Sequence, residues 1–93
     1  MNIEHVKEFL VLTESKNYGE AAGRLHVSQP TLSRHICAIE NELGVRLLER
    51  SNCGMTLTAD GELAKRQFKC MLHYFNELMF TMEESTPSVG FVR

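Results

Sequence analysis

SQPTLSRHICAI, residues 28–39, carries a helix start and two faces of unlike chemistry. Serine is a strong helix N-cap because its hydroxyl accepts from a free backbone N–H of the first turn. Pro30 follows where a missing N–H costs little, so the pattern starts a helix at Ser28. Leu32, Ile36, Ile39 and Leu43 then recur at spacings of four, three and four, one apolar helical stripe. Away from it stand Gln29, Thr31, Ser33, Arg34 and His35, side chains of the sort that hydrogen-bond base edges and hold phosphates. No acid occurs between Glu20 and Glu40 in a chain with 12 of them. A helix that reads a nucleic-acid duplex is the expectation against which the other residues are weighed.

Composition bounds that expectation without supporting it. The 93 residues suffice for one small helical core, and the formal net charge is −2. Any attraction to phosphate must therefore come from local asymmetry, not from the whole chain. No apolar run approaches the roughly 20 residues of a membrane span, and MNIEHVKEF lacks the basic and apolar parts of a secretory signal. Cys37, Cys53 and Cys70 have no CxxC spacing, as expected of reduced thiols in a cytoplasm. His5, His26, His35 and His73 are equally scattered, so no metal or other cofactor is expected.

Outward from the quoted stretch, residues 2–16 read as an amphipathic helix with Ile3, Val6, Phe9, Leu10 and Thr13 on one side. Asn17-Tyr18-Gly19 breaks it, and EAAGRL forms a short second helix whose Ala21 and Ala22 admit a close neighbour. LHVS turns directly into the third helix, which ends at Gly44, giving a helix-turn-helix. VRLLER, SNCGM and TLT then read as a small hairpin, or wing, with Leu47, Leu48 and Leu57 beneath the core. Arg46 and Arg50 are expected in solvent or in ion pairs, with Glu40 or Glu42 as the ordinary partner for Arg50.

A long helix follows, capped by Thr58 or Asp60 and reaching about Glu84, roughly 38 Å at 1.5 Å per residue. Ala64, Phe68, Met71, Phe75, Leu78 and Met82 recur at 4, 3, 4, 3 and 4, with Leu72 and Met79 widening the stripe. Two covers are open to it: a second copy of the helix, or the first helix of the same chain. Helix 1 is much shorter than the stripe, which favours the second copy. Lys65, Arg66 and Lys69 in one half and Glu77, Glu83 and Glu84 in the other suit an antiparallel pair. STPSVGFVR changes character to a Pro/Ser hinge and a β-prone fragment, expected to open a further domain.

Taken together, Phe9, Ala21, Ala22, Leu25, SQPTLSRHI, IE-x-ELG (39–44), LLER (47–50) and LT-x-DG (57–61) resemble the DNA-binding domain of LysR-type transcriptional regulators. The resemblance runs from Met1 to about Glu84. It implies a mainly α fold, a winged helix-turn-helix over 1–58, a linker and dimerisation helix over 59–84, and a hinge over 85–93 leading to an effector-binding domain. It places DNA contacts on Gln29, Pro30, Ser33 and Arg34, with Thr31 and His35 nearby, Ser28 as cap or contact, and Arg50 and Asn52 on the wing. Dimerisation falls on Phe68, Met71, Leu72, Phe75, Leu78, Met79 and Met82. The implied partners are double-stranded DNA, a second copy (pairing further into a tetramer in a full-length protein), and a small-molecule effector, with no membrane. Two departures stand out. The wing tip Ser51-Asn52-Cys53-Gly54 carries no cation to enter a minor groove, and Gly19 stands where the family places a Ser or Thr cap.

The competing class is a helical, dimeric protein-interaction module that binds no DNA. An enzyme is not expected, since phosphate loop, paired carboxylates and nucleophile–base spacing are all missing from the sequence.

Overall fold

The computed structural model describes residues 1–15, 17–51 and 54–85. Four helices and one hairpin follow in the order α1 (Ile3–Glu14), α2 (Tyr18–Leu25), α3 (Gln29–Leu43), β1 (Leu48–Ser51), β2 (Gly54–Leu57) and α4 (Ala59–Ser85). The fold is the expected winged helix-turn-helix with a long last helix. The expected effector-domain fragment and the wing residues Asn52 and Cys53 lie outside the described residues.

Local chemistry sets each boundary. Asn2 caps α1 by accepting from the Glu4 N–H at 2.7 Å. The helix stops two residues earlier than the periodicity indicates, at a Ser15 whose hydroxyl donates back to the Val11 carbonyl at 2.8 Å. Val6, Phe9, Leu10 and Leu12 are buried, whereas Thr13 spends its hydroxyl on the Leu10 carbonyl. In α2, Asn17 is the cap, accepting from the Glu20 N–H at 2.8 Å. Gly19 therefore sits in the first turn and not at the cap.

The turn between α2 and α3 passes through His26 in the left-handed region, φ 59°, with the Val27 N–H donating to the Ala22 carbonyl. Ser28 caps α3 as expected, accepting from the Thr31 N–H at 3.2 Å, and Gly44 ends the helix at φ 74°. Leu32, Ile36 and Ile39 enter the core, but Leu43 is 42% exposed. It is the last residue of α3.

The core is the meeting of α1, α2 and α3, closed below by Leu47 and Leu48 and on one side by Ala64 and Phe68 of α4. Glu40 fixes the lower edge. Its carboxylate accepts from the backbone N–H groups of Leu47 and Leu48 at 2.7 and 3.3 Å, with the Arg46 Nε at 3.7 Å. The expected partner for Glu40, Arg50, is engaged elsewhere. The hairpin is antiparallel, with Leu48 opposite Leu57 and Ser51 opposite Gly54.

Thr58 starts α4 and also staples it to the chain below the core. Its hydroxyl accepts from the Gly61 N–H at 2.9 Å and donates to the Arg46 carbonyl at 2.6 Å, while its N–H donates to the Leu47 carbonyl at 3.0 Å. Gly61 lies directly on that strand lead-in: any Cβ there would overlap the Leu47 carbonyl oxygen. Beyond this joint the stripe of α4 divides. Ala64 and Phe68 are buried in the same chain, Phe68 meeting Phe9 edge-to-face at 5.7 Å, and Leu72 packs on the core's rim. Phe68 and Leu72, expected between two copies, thus pack within their own chain, Phe68 against helix 1. Met71, Leu78, Met79 and Met82 stay exposed.

Candidate nucleic-acid interface

The rotation of α3 is fixed by Leu32, Ile36 and Ile39, each no more than 1% exposed. At 100° per residue, Pro30, Arg34, Cys37 and Asn41 then point away from the core. All four are exposed, and they form the outward row of the helix. Gln29 and Ser33 flank that row toward the hairpin, and Thr31 flanks it on the other side.

Polar contacts hold this row in order. Ser28 donates its hydroxyl to Thr31 Oγ1 at 2.9 Å, and Thr31 Oγ1 in turn accepts from Arg34 Nη2 at 3.2 Å. Ser28 is consequently committed to the cap, and Thr31 acts on Arg34 as a tether. Arg50, on β1, reaches back over the helix start: its guanidinium carbon lies 4.2 Å above the Tyr18 ring and Nη2 donates to Ser33 Oγ at 3.3 Å. Tyr18, Gln29, Pro30, Ser33 and Arg50 line one open concavity between α2, α3 and the hairpin.

His35 departs from expectation. Its Nδ1 lies 2.7 Å from the Glu8 carboxylate, and its ring stacks on His5 at 4.0 Å, so it joins α3 to α1 and does not share the outward row. One residue after Arg34 on a 3.6-residue turn, it is carried round to the α1 side. Asn52 is outside the described residues. Sequence reasoning passed over Tyr18, Cys37 and Asn41. The 100° rotation from the core stripe would have found the last two, whereas Tyr18 is visible only once the hairpin folds back.

Charge around the row is one-sided. The ion pairs found among the described residues are Met1–Glu42, Lys7–Glu4, Arg24–Glu14, His35–Glu8 and Arg46–Glu40, and neither Arg34 nor Arg50 joins them. Both guanidiniums are held by hydroxyls and a ring, which leave the positive charge unneutralised. A surface of this kind can take a polyanion. Among the described residues no cluster of His, Cys, Asp and Glu could hold a metal ion, and no helix is long and apolar enough to cross a membrane.

A second exposed surface runs along α4. Met71 and Leu78 continue the expected stripe, joined by Leu63 and Tyr74, which the heptad reading missed. At 100° per residue these four share a face next to the one that holds Phe68. Phe75 is half-buried with the Lys7 ammonium 6.0 Å from its ring centroid. Gln67, Met71, Tyr74, Phe75 and Leu78 border a shallow apolar groove against Ile3 at the start of α1.

Comparison with known proteins bears on the family and the fold. The profile described as "Bacterial regulatory helix-turn-helix protein, lysR family" matches residues 3–62. The transcriptional activator IlvY of Salmonella typhimurium is 37% identical over 90 residues, which are 97% of this chain and 30% of IlvY. The regulator ClcR of Pseudomonas putida is 41% identical over 73 residues, 78% of this chain and 25% of ClcR. The chain thus spans between a quarter and a third of the length of these relatives. Among solved structures, the CbnR DNA-binding domain in complex with DNA superposes with a TM-score of 0.85 at 37% identity, covering 90% of this chain and 97% of that one. The BenM DNA-binding domain on benA site 1 DNA gives 0.83 at 28% identity, covering 90% and 98%.

Proposed function

The chain belongs to the LysR family of bacterial helix-turn-helix regulators, and from that premise we propose that it is the DNA-binding part of a sequence-specific transcription regulator. The carrying observation is the outward row of α3, where Pro30, Arg34 and the flanking Gln29 and Ser33 stand exposed or half-exposed beside Arg50, neither arginine having a carboxylate partner among the described ion pairs. An α-helix fits the major groove, where Arg34 can set a planar fork on guanine O6 and N7 and Gln29 can pair with adenine. Pro30 offers apolar surface to a thymine methyl, and Ser33 and Arg50 suit backbone phosphates. CbnR and BenM domains of the same fold are described bound to DNA, which supports this reading for a chain whose own duplex partner is proposed here.

The rest of the proposal concerns assembly. Two copies pair through the exposed part of α4, above all Met71, Leu78, Met79 and Met82, and present two α3 helices to half-sites of a partly palindromic operator. In a longer protein such dimers pair into tetramers, a small-molecule effector acts through a further domain, and the working compartment is the cytoplasm, at the nucleoid. Residues 1–58 form the reading head and 59–84 the linker helix.

The decisive measurement is fluorescence anisotropy of a labelled duplex from the gene's own upstream region at several salt concentrations, beside a scrambled duplex. Tight binding that weakens steeply with salt and prefers the native duplex is expected. Arg34→Ala should cost about 1–3 kcal/mol on the native duplex and erase part of the preference. Equal weakening on both duplexes would reassign Arg34 to phosphate. No binding by the unaltered protein at low salt would sink the regulator reading in favour of a protein-interaction module.

A further inference from the structure

Arg50 belongs to the hairpin by sequence, yet its guanidinium forms no ion pair with its strand neighbour Glu49. It lies instead across the starts of two helices. The flat guanidinium rests 4.2 Å over the ring of Tyr18, the first residue of α2, and one N–H donates to Ser33 on the second turn of α3. Three elements that are separate in the chain are thus tied at one cation. Tyr18 is half-buried and packed against the core, so its ring is a fixed platform, while Arg50 is exposed.

We infer that Tyr18 is a positioning residue for DNA binding, holding Arg50 as a preset phosphate clamp that fixes where α3 enters the groove. This rests on the DNA-binding reading above. The chemistry favours phosphate over a base edge for three reasons. An arginine stacked on an aromatic face keeps its in-plane N–H edge open, and of five N–H donors only one is used on Ser33. Arg50 borders the concavity at the start and flank of α3, a lining to which Arg34 of the outward row does not belong. A long side chain already immobilised by ring and hydroxyl also loses less freedom on meeting an anion. In a wing whose tip carries no lysine or arginine, this one cation must do what a charged tip would otherwise share.

The test compares the unaltered protein with Tyr18→Phe, Tyr18→Leu, Arg50→Ala, Arg50→Lys and the double variant Tyr18→Leu/Arg50→Ala. Anisotropy is read on native and scrambled duplexes across a salt series, with thermal melts of each protein. Tyr18→Phe keeps the platform and should bind as the unaltered protein does. Tyr18→Leu should lose about 2- to 5-fold on both duplexes alike, the range of an exposed cation–π contact. Arg50→Ala should lose more, again on both, and lower the salt slope by about one. Arg50→Lys keeps the charge but not the flat stack, and should fall between the two. The double variant should bind no worse than Arg50→Ala alone. Should Tyr18→Leu fail to fold, Arg50→Lys decides: affinity equal to the unaltered protein would overturn the clamp. So would full additivity in the double variant, or a loss confined to the native duplex. Absence of binding by the unaltered protein would instead remove the underlying DNA-binding reading.

Discussion

The two halves of α4 carry the same apolar rhythm and meet opposite fates. From Ala59 to about Leu72 the helix is stapled by Thr58, seated on the Leu47 carbonyl at Gly61, and buried at Ala64 and Phe68. From Met71 onward it projects beyond the core with Tyr74 at 70%, Phe80 at 61% and Leu78 at 54% exposure. Periodicity tells which residues share a face; it does not tell what covers that face. In the first half the cover is α1 of the same chain, and in the second half it is open to another molecule. A stripe read as one interface is therefore buried within the chain in its first half and exposed in its second.

The contrast can be broken most forcefully at Phe68. Phe68→Ala should cost about 3–5 kcal/mol of stability by opening a cavity against Phe9, lowering the melting temperature by more than about 10 °C. A melting temperature near that of the unaltered protein would mean that the first half is not part of the core. Next in size is Gly61→Ala, expected to cost about 1–3 kcal/mol because the new Cβ displaces the joint with Leu47. Chemical denaturation would measure it, and a neutral result would show that the joint gives way easily.

Leu78→Glu sharpens the other side. Sedimentation should show monomers, while the melt of dilute protein moves by no more than about 0.5 kcal/mol, since the residue is exposed in the single chain. Phe75 makes a poorer probe, because it is half-buried beside Lys7 and a charge there would disturb both contacts. Leu43→Ser should have only a small effect. At 42% exposure it should cost under about 1 kcal/mol, and a loss as large as that of Phe68→Ala would place the α3 end inside the core after all.

Much of the reading head was legible in the residues. Ser28 announces a cap and accepts from Thr31, Gly44 announces a left-handed stop at φ 74°, and the hairpin follows the β-prone runs on either side of its turn. What escaped were choices between partners of equal local merit. His35 carries groups fit for a base or a carboxylate, and Glu8, 27 residues away, supplies the carboxylate. Arg50 could have met Glu40, but that carboxylate is occupied by the Leu47 and Leu48 N–H groups. Leu12 is fully buried although it is not among the residues the α1 stripe picks out. Asn17 outbids Gly19 as a cap because its carbonyl oxygen reaches Glu20. Each is a contest decided by distant segments, which spacing alone cannot express.

The stapled joint at Thr58 and Gly61 gives the molecule a mechanical property. Because the reading head cannot swivel on α4 without breaking the contacts to Arg46 and Leu47, head and helix turn as one body. The 27 residues of α4 make an arm of about 40 Å. A tilt of about 10° at its far end would swing the head through about 7 Å, roughly the rise of two base pairs. Small rotations between two paired arms would thus appear at the duplex as whole-step changes in half-site spacing.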